Sequence, residues 1–174
     1  MSDFFVNQAR EGNVYHSNNT TSGAVTVISA TCTGLILENP AGSGKDLVVQ
    51  SMSFVGSTLA TIREIGVAVS STVSQAGSTS TTAAVIHSGR LSGSNGSNGV
   101  GRTFSIATLP AAPVWLRPLG SARVTAAVEG LPAMVADFDG SLIVAPGTLV
   151  CFSTLTAAAT GLCSITWAEV NLPA

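Results

Sequence analysis

Short apolar segments alternate with turn residues along most of this chain. Over residues 51–54 hydroxyl and apolar side chains alternate, and the same period of two recurs over residues 65–70. A period of two is typical of a β-strand with one buried face. The last part, residues 142–170, contains three apolar segments separated by two turns, which indicates antiparallel hairpins.

The pattern predicts eight to ten short strands with turn signals at regular spacing. The predicted strands are 24–29, 35–38, 47–55, 62–73, 103–107, 122–128, 142–144, 148–154 and 162–170, and the last three are the clearest. For 122–128 a short helix is the alternative to a strand. No segment shows a convincing 3.6-residue period of an amphipathic helix. The sequence therefore predicts an all-β fold, an antiparallel β-sandwich or jelly roll.

The first 23 residues differ from the rest. The apolar side chains of Phe4, Phe5 and Tyr15 stand in a polar segment that ends in a run of Ser, Asn and Thr. This composition favours an extended N-terminal arm that lies on its own domain or on a neighbour. We therefore expect an arm over residues 1–23 and one jelly-roll β-sandwich domain over residues 24–174.

Two stretches interrupt the strand pattern. Residues 92–99 contain only Gly, Ser and Asn, which predicts either an exposed loop or an ordered loop at a contact. Three prolines within residues 109–119 exclude a central strand or a regular helix there. Trp115 lies in this proline-rich segment, either as an interface anchor or as a plug under a loop.

Charge is scarce throughout the chain. Charged residues make up 9% of the sequence, against about a quarter in an ordinary soluble domain, and Lys45 is the single lysine. A surface of hydroxyls and small apolar groups can be buried against protein at low desolvation cost. This composition predicts a component of an assembly.

The distribution of charge assigns different contacts to different parts of the chain. The uncharged stretches 65–86, 91–101 and 140–168 belong to the predicted sandwich, which we expect to pack against sister subunits. The arm and residues 109–123 are the better candidates for contact with a different protein. The candidate interface residues are Phe4, Phe5, Tyr15, Trp115 and Arg117.

Charge and hydropathy also argue against other partners. The net charge of −2 and the six scattered arginines disfavour nucleic acid, which is bound through clustered Lys and Arg. No segment reaches the roughly 18 consecutive apolar residues of a membrane span. The N-terminus lacks the pattern of a secretory signal, so we expect the three cysteines to be reduced and buried. Cys151 and Cys163 lie in successive predicted strands and could be neighbours.

Motifs for chemistry are incomplete. Residues 39–46 superficially match a phosphate-binding loop, but Asn39 replaces the first Gly, Asp46 replaces the magnesium ligand, and a strand is expected to follow. Residues 137–140 resemble the start of a calcium loop without its remaining ligands. They predict a turn, with a calcium site built from distant carboxylates as the alternative.

The two histidines, His16 and His87, are expected at the surface or in turns because no H-x-H pair exists. A Ser/His/Asp arrangement can converge from distant positions, so spacing alone leaves it open. No G-x-S-x-G motif is present, however. We therefore expect no catalytic, cofactor-binding or metal-binding residues, and a protein that is not an enzyme.

The loop over residues 39–45 before an apolar strand, the segment 142–148 and the closing segment 165–169 resemble small jelly-roll virion proteins of tailed bacteriophages. The nearest such family is the capsid cement, or decoration, proteins. The resemblance implies a homotrimer on the outer capsid surface, made in the host cytoplasm, that bridges major capsid subunits without a cofactor. In such proteins an N-terminal arm often makes part of that contact.

The same layout occurs in phage fibre heads and in tumour-necrosis-factor-like trimers. The alternative is therefore the receptor- or glycan-binding head domain of a phage fibre. A carbohydrate site usually exposes Trp or Tyr among polar side chains, and this chain has one Tyr and two Trp. That count favours the cement protein.

Overall fold

The period-two segments form strands whose apolar faces turn toward one another. The computed structural model shows two six-stranded antiparallel sheets packed face to face, which confirms the predicted all-β sandwich. The structure describes residues 3–58, 63–72, 76–91, 99–122 and 133–173. The strand predicted over 122–128 and most of the loop predicted over 92–99 lie outside these residues.

Within the described residues one helix precedes twelve strands. The elements are α1 (Asp3–Glu11), β1 (Val14–Asn18), β2 (Gly23–Val25), β3 (Thr31–Glu38), β4 (Lys45–Thr58), β5 (Arg63–Val69), β6 (Thr79–Ala83), β7 (Val85–Ser88), β8 (Arg102–Thr108), β9 (Val114–Ala122), β10 (Met134–Val144), β11 (Leu149–Thr154) and β12 (Ala159–Asn171). In the parts of the chain described, no helix has the length and apolar character needed to cross a membrane.

Each sheet interleaves strands from both ends of the chain. Sheet 1 has the order β10–β4–β12–β1–β7, with β2 also paired to β12. Sheet 2 has the order β6–β8–β3–β11–β5–β9. The last two strands, β11 and β12, thus lie in the middle of opposite sheets. Strands β6, β7 and β8 form an insertion that widens both sheets on one side.

The core between the sheets is mainly aliphatic, with a few large rings. Phe54, Phe152 and Trp167 are fully buried. The Tyr15 ring lies beside the Trp167 ring, with centroids 5.8 Å apart. Full burial of one such side chain contributes about 1.5–3 kcal/mol, so this layer is the main source of stability.

Residues 3–18 form a helix and a strand that pack on the sandwich. The prediction of an extended arm over residues 1–23 is therefore wrong for these residues. Phe5 on α1 packs with Val48 and Ala168 on the outer side of sheet 1. Strand β1 pairs with both β12 and β7, which places Tyr15 in the core. These aromatic side chains gain more by burial on their own sheet than they would in an extended arm.

The proline-rich segment closes the side of sheet 2 that faces away from the core. Strands β8 and β9 lie on opposite sides of β3, β11 and β5, so residues 109–113 must cross that side of the sheet. Leu109 packs there in an apolar cluster with Ile36 and Cys151. Pro118 lies within β9, an edge strand, where a missing N–H is tolerated. The exclusion of a central strand is thus confirmed.

The neighbour of Cys151 is Cys32, because β11 and β12 lie in different sheets. Cys151 and Cys32 share the apolar cluster on sheet 2, whereas Cys163 faces the core between the sheets. All three thiols are free and buried. A hydrogen bond with Cys32, together with burial, raises the pKa of Cys151, and burial raises the pKa of Cys163. The thiols of Cys151 and Cys163 therefore stay protonated and unreactive.

A buried carboxylate ties one end of the sandwich together. Glu169 on β12 is 2% exposed. It accepts hydrogen bonds from the backbone N–H groups of Val100 and Gly101, each at 2.9 Å, and from Lys45 Nζ at 3.3 Å. A carboxylate can be buried only where such donors compensate for lost water. One side chain thus connects the end of β12 with the start of β4 and of β8.

We expect Glu169→Ala to lower the free energy of unfolding by about 3 kcal/mol, because the buried N–H of Gly101 loses its acceptor and Lys45 its partner. Urea unfolding measures the change. The control is Glu11→Ala on α1, an exposed glutamate whose loss should cost less than about 0.5 kcal/mol. Equal stability of the two variants would contradict this role of Glu169.

Candidate functional site

The side of sheet 1 that faces away from the core presents a broad and nearly uncharged surface. Paired residues on antiparallel neighbours point to the same side, so the register arranges this surface in rows across five strands. Row 1 consists of Asp137, Ser51, Thr166, His16 and His87; row 2 consists of Val135, Ser53, Ser164, Asn18 and Val85. Val55 and Leu162 face each other beyond row 2. We call these twelve residues the hydroxyl face.

Hydroxyl groups at the centre of the hydroxyl face are hydrogen-bonded within the chain. Ser53 Oγ and Ser164 Oγ lie 2.6 Å apart, on adjacent strands. His16 Nδ1 lies 3.0 Å from Thr166 Oγ1. Covering these groups with another protein would therefore leave few polar atoms without a partner, which keeps the cost of burial low.

The most exposed apolar side chains of the hydroxyl face lie at its two rims. Val135 on β10 is 56% exposed and Val85 on β7 is 52% exposed. Asp137 is the only residue of the hydroxyl face with a formal charge at neutral pH, and it lies on the β10 rim. The hydroxyl face is thus one continuous surface with a single formal charge.

The two histidines are direct cross-strand neighbours on β1 and β7. Burial lowers the pKa of His16, and the nearby His87 lowers it further. Sequence spacing gave no sign of this pair, because it depends on β7 of the insertion pairing with β1. Among the described residues no three His, Cys, Asp or Glu side chains gather where they could hold a metal ion.

The candidate interface residues of the N-terminal segment are mostly internal. Phe5 is 6% exposed and Tyr15 is 5% exposed, so both side chains pack within their own chain. Phe4 is half-buried and meets Phe5 edge-on, with ring centroids 5.0 Å apart. These aromatic residues attach α1 and β1 to sheet 1, and little of Phe5 or Tyr15 is available to a partner.

The other two candidates, Trp115 and Arg117, lie on the edge strand β9 of sheet 2. Trp115 is half-buried, with its ring against the backbone of Gly66. Of the two roles expected for it, this placement favours the plug. Arg117 is exposed, and its guanidinium carbon lies 4.9 Å from the centre of the Phe138 ring. This cation–π contact links the neighbouring edges β9 and β10.

The two incomplete motifs have structural roles. Asn39 Nδ2 donates to the carbonyl oxygens of Lys45 and Val144, both at 2.8 Å, and strand β4 follows the loop as predicted. Residues 137–140 lie inside strand β10, so the turn expected there is corrected to an irregularity within the strand. Asp139 and Gly140 have φ angles of 46° and 86°, and the pairing of β10 with β4 shifts register between Asp137 and Leu142.

Two open cavities lie outside the hydroxyl face. One, of about 310 Å³, lies beside β9 and is lined by Leu116, Ile143 and Leu149 among others. The other, of about 360 Å³, lies between the segment 19–24 and strand β8, where Asn19 and Ser105 contribute to its lining. Both cavities are mainly apolar, and both include hydroxyl groups in their lining.

The sequence predicted that contacts with sister subunits would lie on the sandwich body, but it did not reveal the hydroxyl face. Serine, threonine and valine are ordinary strand residues, and they form one surface only when register aligns five strands. The signal present in the sequence was the alternation at 51–54, which puts Ser51 and Ser53 opposite the core side.

Comparison with known proteins does not assign this chain to a family. No protein-family model matches it, and no curated protein or solved structure is significantly similar to it.

Acidification should destabilise the protein through His16. Its pKa is lowered in the folded state, so the unfolded chain, in which histidine titrates near 6.5, takes up the proton first as pH falls. Stability should therefore decrease from about pH 7 downward until pH passes the lowered pKa of His16. Urea midpoints between pH 7.5 and 5.5 measure this slope. His16→Gln should flatten it, and an unchanged slope in that variant would contradict the assignment.

Gly66→Ala should lower the free energy of unfolding by about 2 kcal/mol, because a Cβ there would overlap the Trp115 ring and the carbonyl oxygen of Arg117. Thermal and urea unfolding measure the loss. Gly23→Ala is the matched control, since the nearest atom would lie 3.8 Å from the new Cβ. The placement of Trp115 would be wrong if both variants were equally stable.

Proposed function

We propose that this protein is a non-enzymatic virion structural protein, a capsid cement or decoration protein of a tailed bacteriophage. In this proposal it forms homotrimers on the outer capsid surface and stabilises the head by bridging major capsid subunits. The observation that supports it most is the hydroxyl face, a broad surface with one formal charge. A protein whose function is only to bind other proteins needs such a contact surface more than it needs a pocket for a ligand.

The physical argument concerns desolvation. Burying an ion costs several kcal/mol unless it is paired, whereas hydroxyls that already have partners can be covered at low cost. The hydroxyl face lies on regular strands of a sandwich, so little conformational entropy is lost when it is covered. Several such contacts in one assembly add up through avidity.

The edges of both sheets also suit a controlled assembly. The pairing of β10 is interrupted after Asp137, β9 contains Pro118 and two register shifts, and β7 has only four residues. In β6, Ser80 has a φ of 48° and the pairing with β8 is irregular. Such features oppose the addition of further strands. We therefore expect contacts through side chains of faces and rims.

The outer side of α1 is our candidate for contact with a different protein. Phe5 fixes the helix on sheet 1, while Val6, Asn7 and Arg10 are exposed. A short rigid helix with one exposed aliphatic and one exposed basic side chain can anchor a body of this size on a neighbouring surface. Exposed Arg117 on β9 offers a second cationic position.

Capsids that lack the protein provide the test. We expect the wild-type protein to co-sediment with them to saturation and to raise the temperature at which they release DNA. The double variant Val6→Asp and Arg10→Glu should weaken binding at least about tenfold, because charge reversal and an aliphatic loss act together. Deletion of residues 1–20 would be a poor test because it removes β1.

The matched control is Thr81→Asp on the exposed strand β6. It should bind capsids as the wild type does. Failure of the wild-type protein to bind these capsids would overturn the proposal. Unchanged binding of the α1 double variant would exclude only the helix as the contact.

A fibre head that binds a receptor or glycan is the second candidate. The cavity beside β8 supports it, because the hydroxyl groups of Thr21, Ser22 and Ser105 line it and could hydrogen-bond to an uncharged polyol. Adsorption of the purified protein to host cells, abolished by Ser105→Trp, together with no binding to capsids, would favour this function over the cement role.

A further inference from the structure

We infer that the hydroxyl face is a contact between copies of this chain, in which the β10 rim of one copy meets the β7 rim of the next. The inference deepens the proposed assembly role and rests on it. It names the surface through which a homotrimer would close and the residues that set its direction.

The two rims of the hydroxyl face are complementary in both rows. Row 1 begins with the carboxylate of Asp137 on β10 and ends with the imidazole of His87 on β7. Row 2 begins with Val135 and ends with Val85, and both valines are more than half exposed. A β10 rim placed against a β7 rim thus joins an acid to an imidazole and a valine to a valine.

Joining like rims would lose this match. Two β10 rims would bring two Asp137 carboxylates together, and these like charges oppose association. Two β7 rims would bring two imidazoles together without a carboxylate partner, whereas the head-to-tail arrangement gives each imidazole a carboxylate that can accept its N–H. A head-to-tail contact is heterologous, and it gives a closed ring when the rotation between copies closes.

Side chains, and not backbone groups, would make this contact. The pairing of β10 is interrupted between Asp137 and Leu142, and β7 is only four residues long, so continuous strand pairing across the rims is disfavoured. Each rim contact is small. A ring supplies one such contact per copy, all of them formed together, which makes the closed trimer more stable than an open pair.

The mass of the full-length protein in solution tests the inference. Sedimentation velocity at micromolar concentration should give the wild type three times the 17.4 kDa chain mass. Val135→Arg and Val85→Arg should each give the mass of one chain, because a buried arginine at either rim should weaken association about a hundredfold or more. Circular dichroism and thermal unfolding verify that these surface variants remain folded.

The matched control is Val114→Arg, an equally exposed valine on β9, at 48% exposure. It should keep the trimer mass. Loss of the trimer in the control alone, or wild-type mass in both rim variants, would overturn the inference. A monomeric wild type at micromolar concentration would overturn it as well.

A charge exchange tests the pairing itself. His87→Asp should dissociate the trimer, because it sets a second carboxylate against Asp137. The double variant His87→Asp and Asp137→Lys should restore the trimer, since the new lysine on the β10 rim can pair with the new carboxylate on the β7 rim. If the double variant dissociates as fully as His87→Asp, the proposed contact between Asp137 of one copy and His87 of the next is contradicted.

These results are separable from the proposed function. Rim variants that remain trimeric, in a protein that still binds capsids, would reject this surface and leave the cement role standing. Rim variants that dissociate, in a protein whose wild-type trimers do not bind capsids, would reject the cement role and leave this surface standing.

Discussion

The buried Glu169 carboxylate is the interaction on which the closed end of the sandwich depends. It binds the start of β4 through Lys45 and the start of β8 through the N–H groups of Val100 and Gly101. Lys45 is also held from the other side, because its carbonyl oxygen accepts a hydrogen bond from Asn39. Burial raises the pKa of Tyr15 in the neighbouring core, and the negative charge of Glu169 raises it further. Both sheets therefore meet at one compensated charge.

The burial of charged side chains helps to explain why the surface of the protein carries few charges. The single lysine is paired with Glu169, and Glu38, 2% exposed, accepts a hydrogen bond from the hydroxyl group of Ser78 at 2.5 Å. Some of the few charged side chains thus anchor loops inside the molecule. The surface of the protein therefore carries fewer charges than the composition suggests. The hydroxyl face is a broad surface with one formal charge, and it lies on strands that pack against the core.

The sequence predicted the strands that carry their own pattern. The alternation at 51–54 lies in β4, and the apolar run at 148–154 is almost the whole of β11. Elements that depend on distant partners were missed. Strand β1 is stable because β12 and β7 flank it, and α1 is a nine-residue helix held by Phe5 on sheet 1. The aromatic residues that looked like interface anchors were the ones with most to gain from internal burial.

Register also explains why the hydroxyl face was not visible in the sequence. Its β10 rim comes from the body of the sandwich, whereas its β7 rim comes from the insertion between β5 and β9. Neither rim has a distinctive residue type, and the complementarity of Asp137 with His87 exists only across a sheet of five strands. Because β7 has four residues and lies at an edge, its outward side chains can change with little effect on the core. In the proposed contact, the side chains of the β7 rim can therefore change while the fold stays the same.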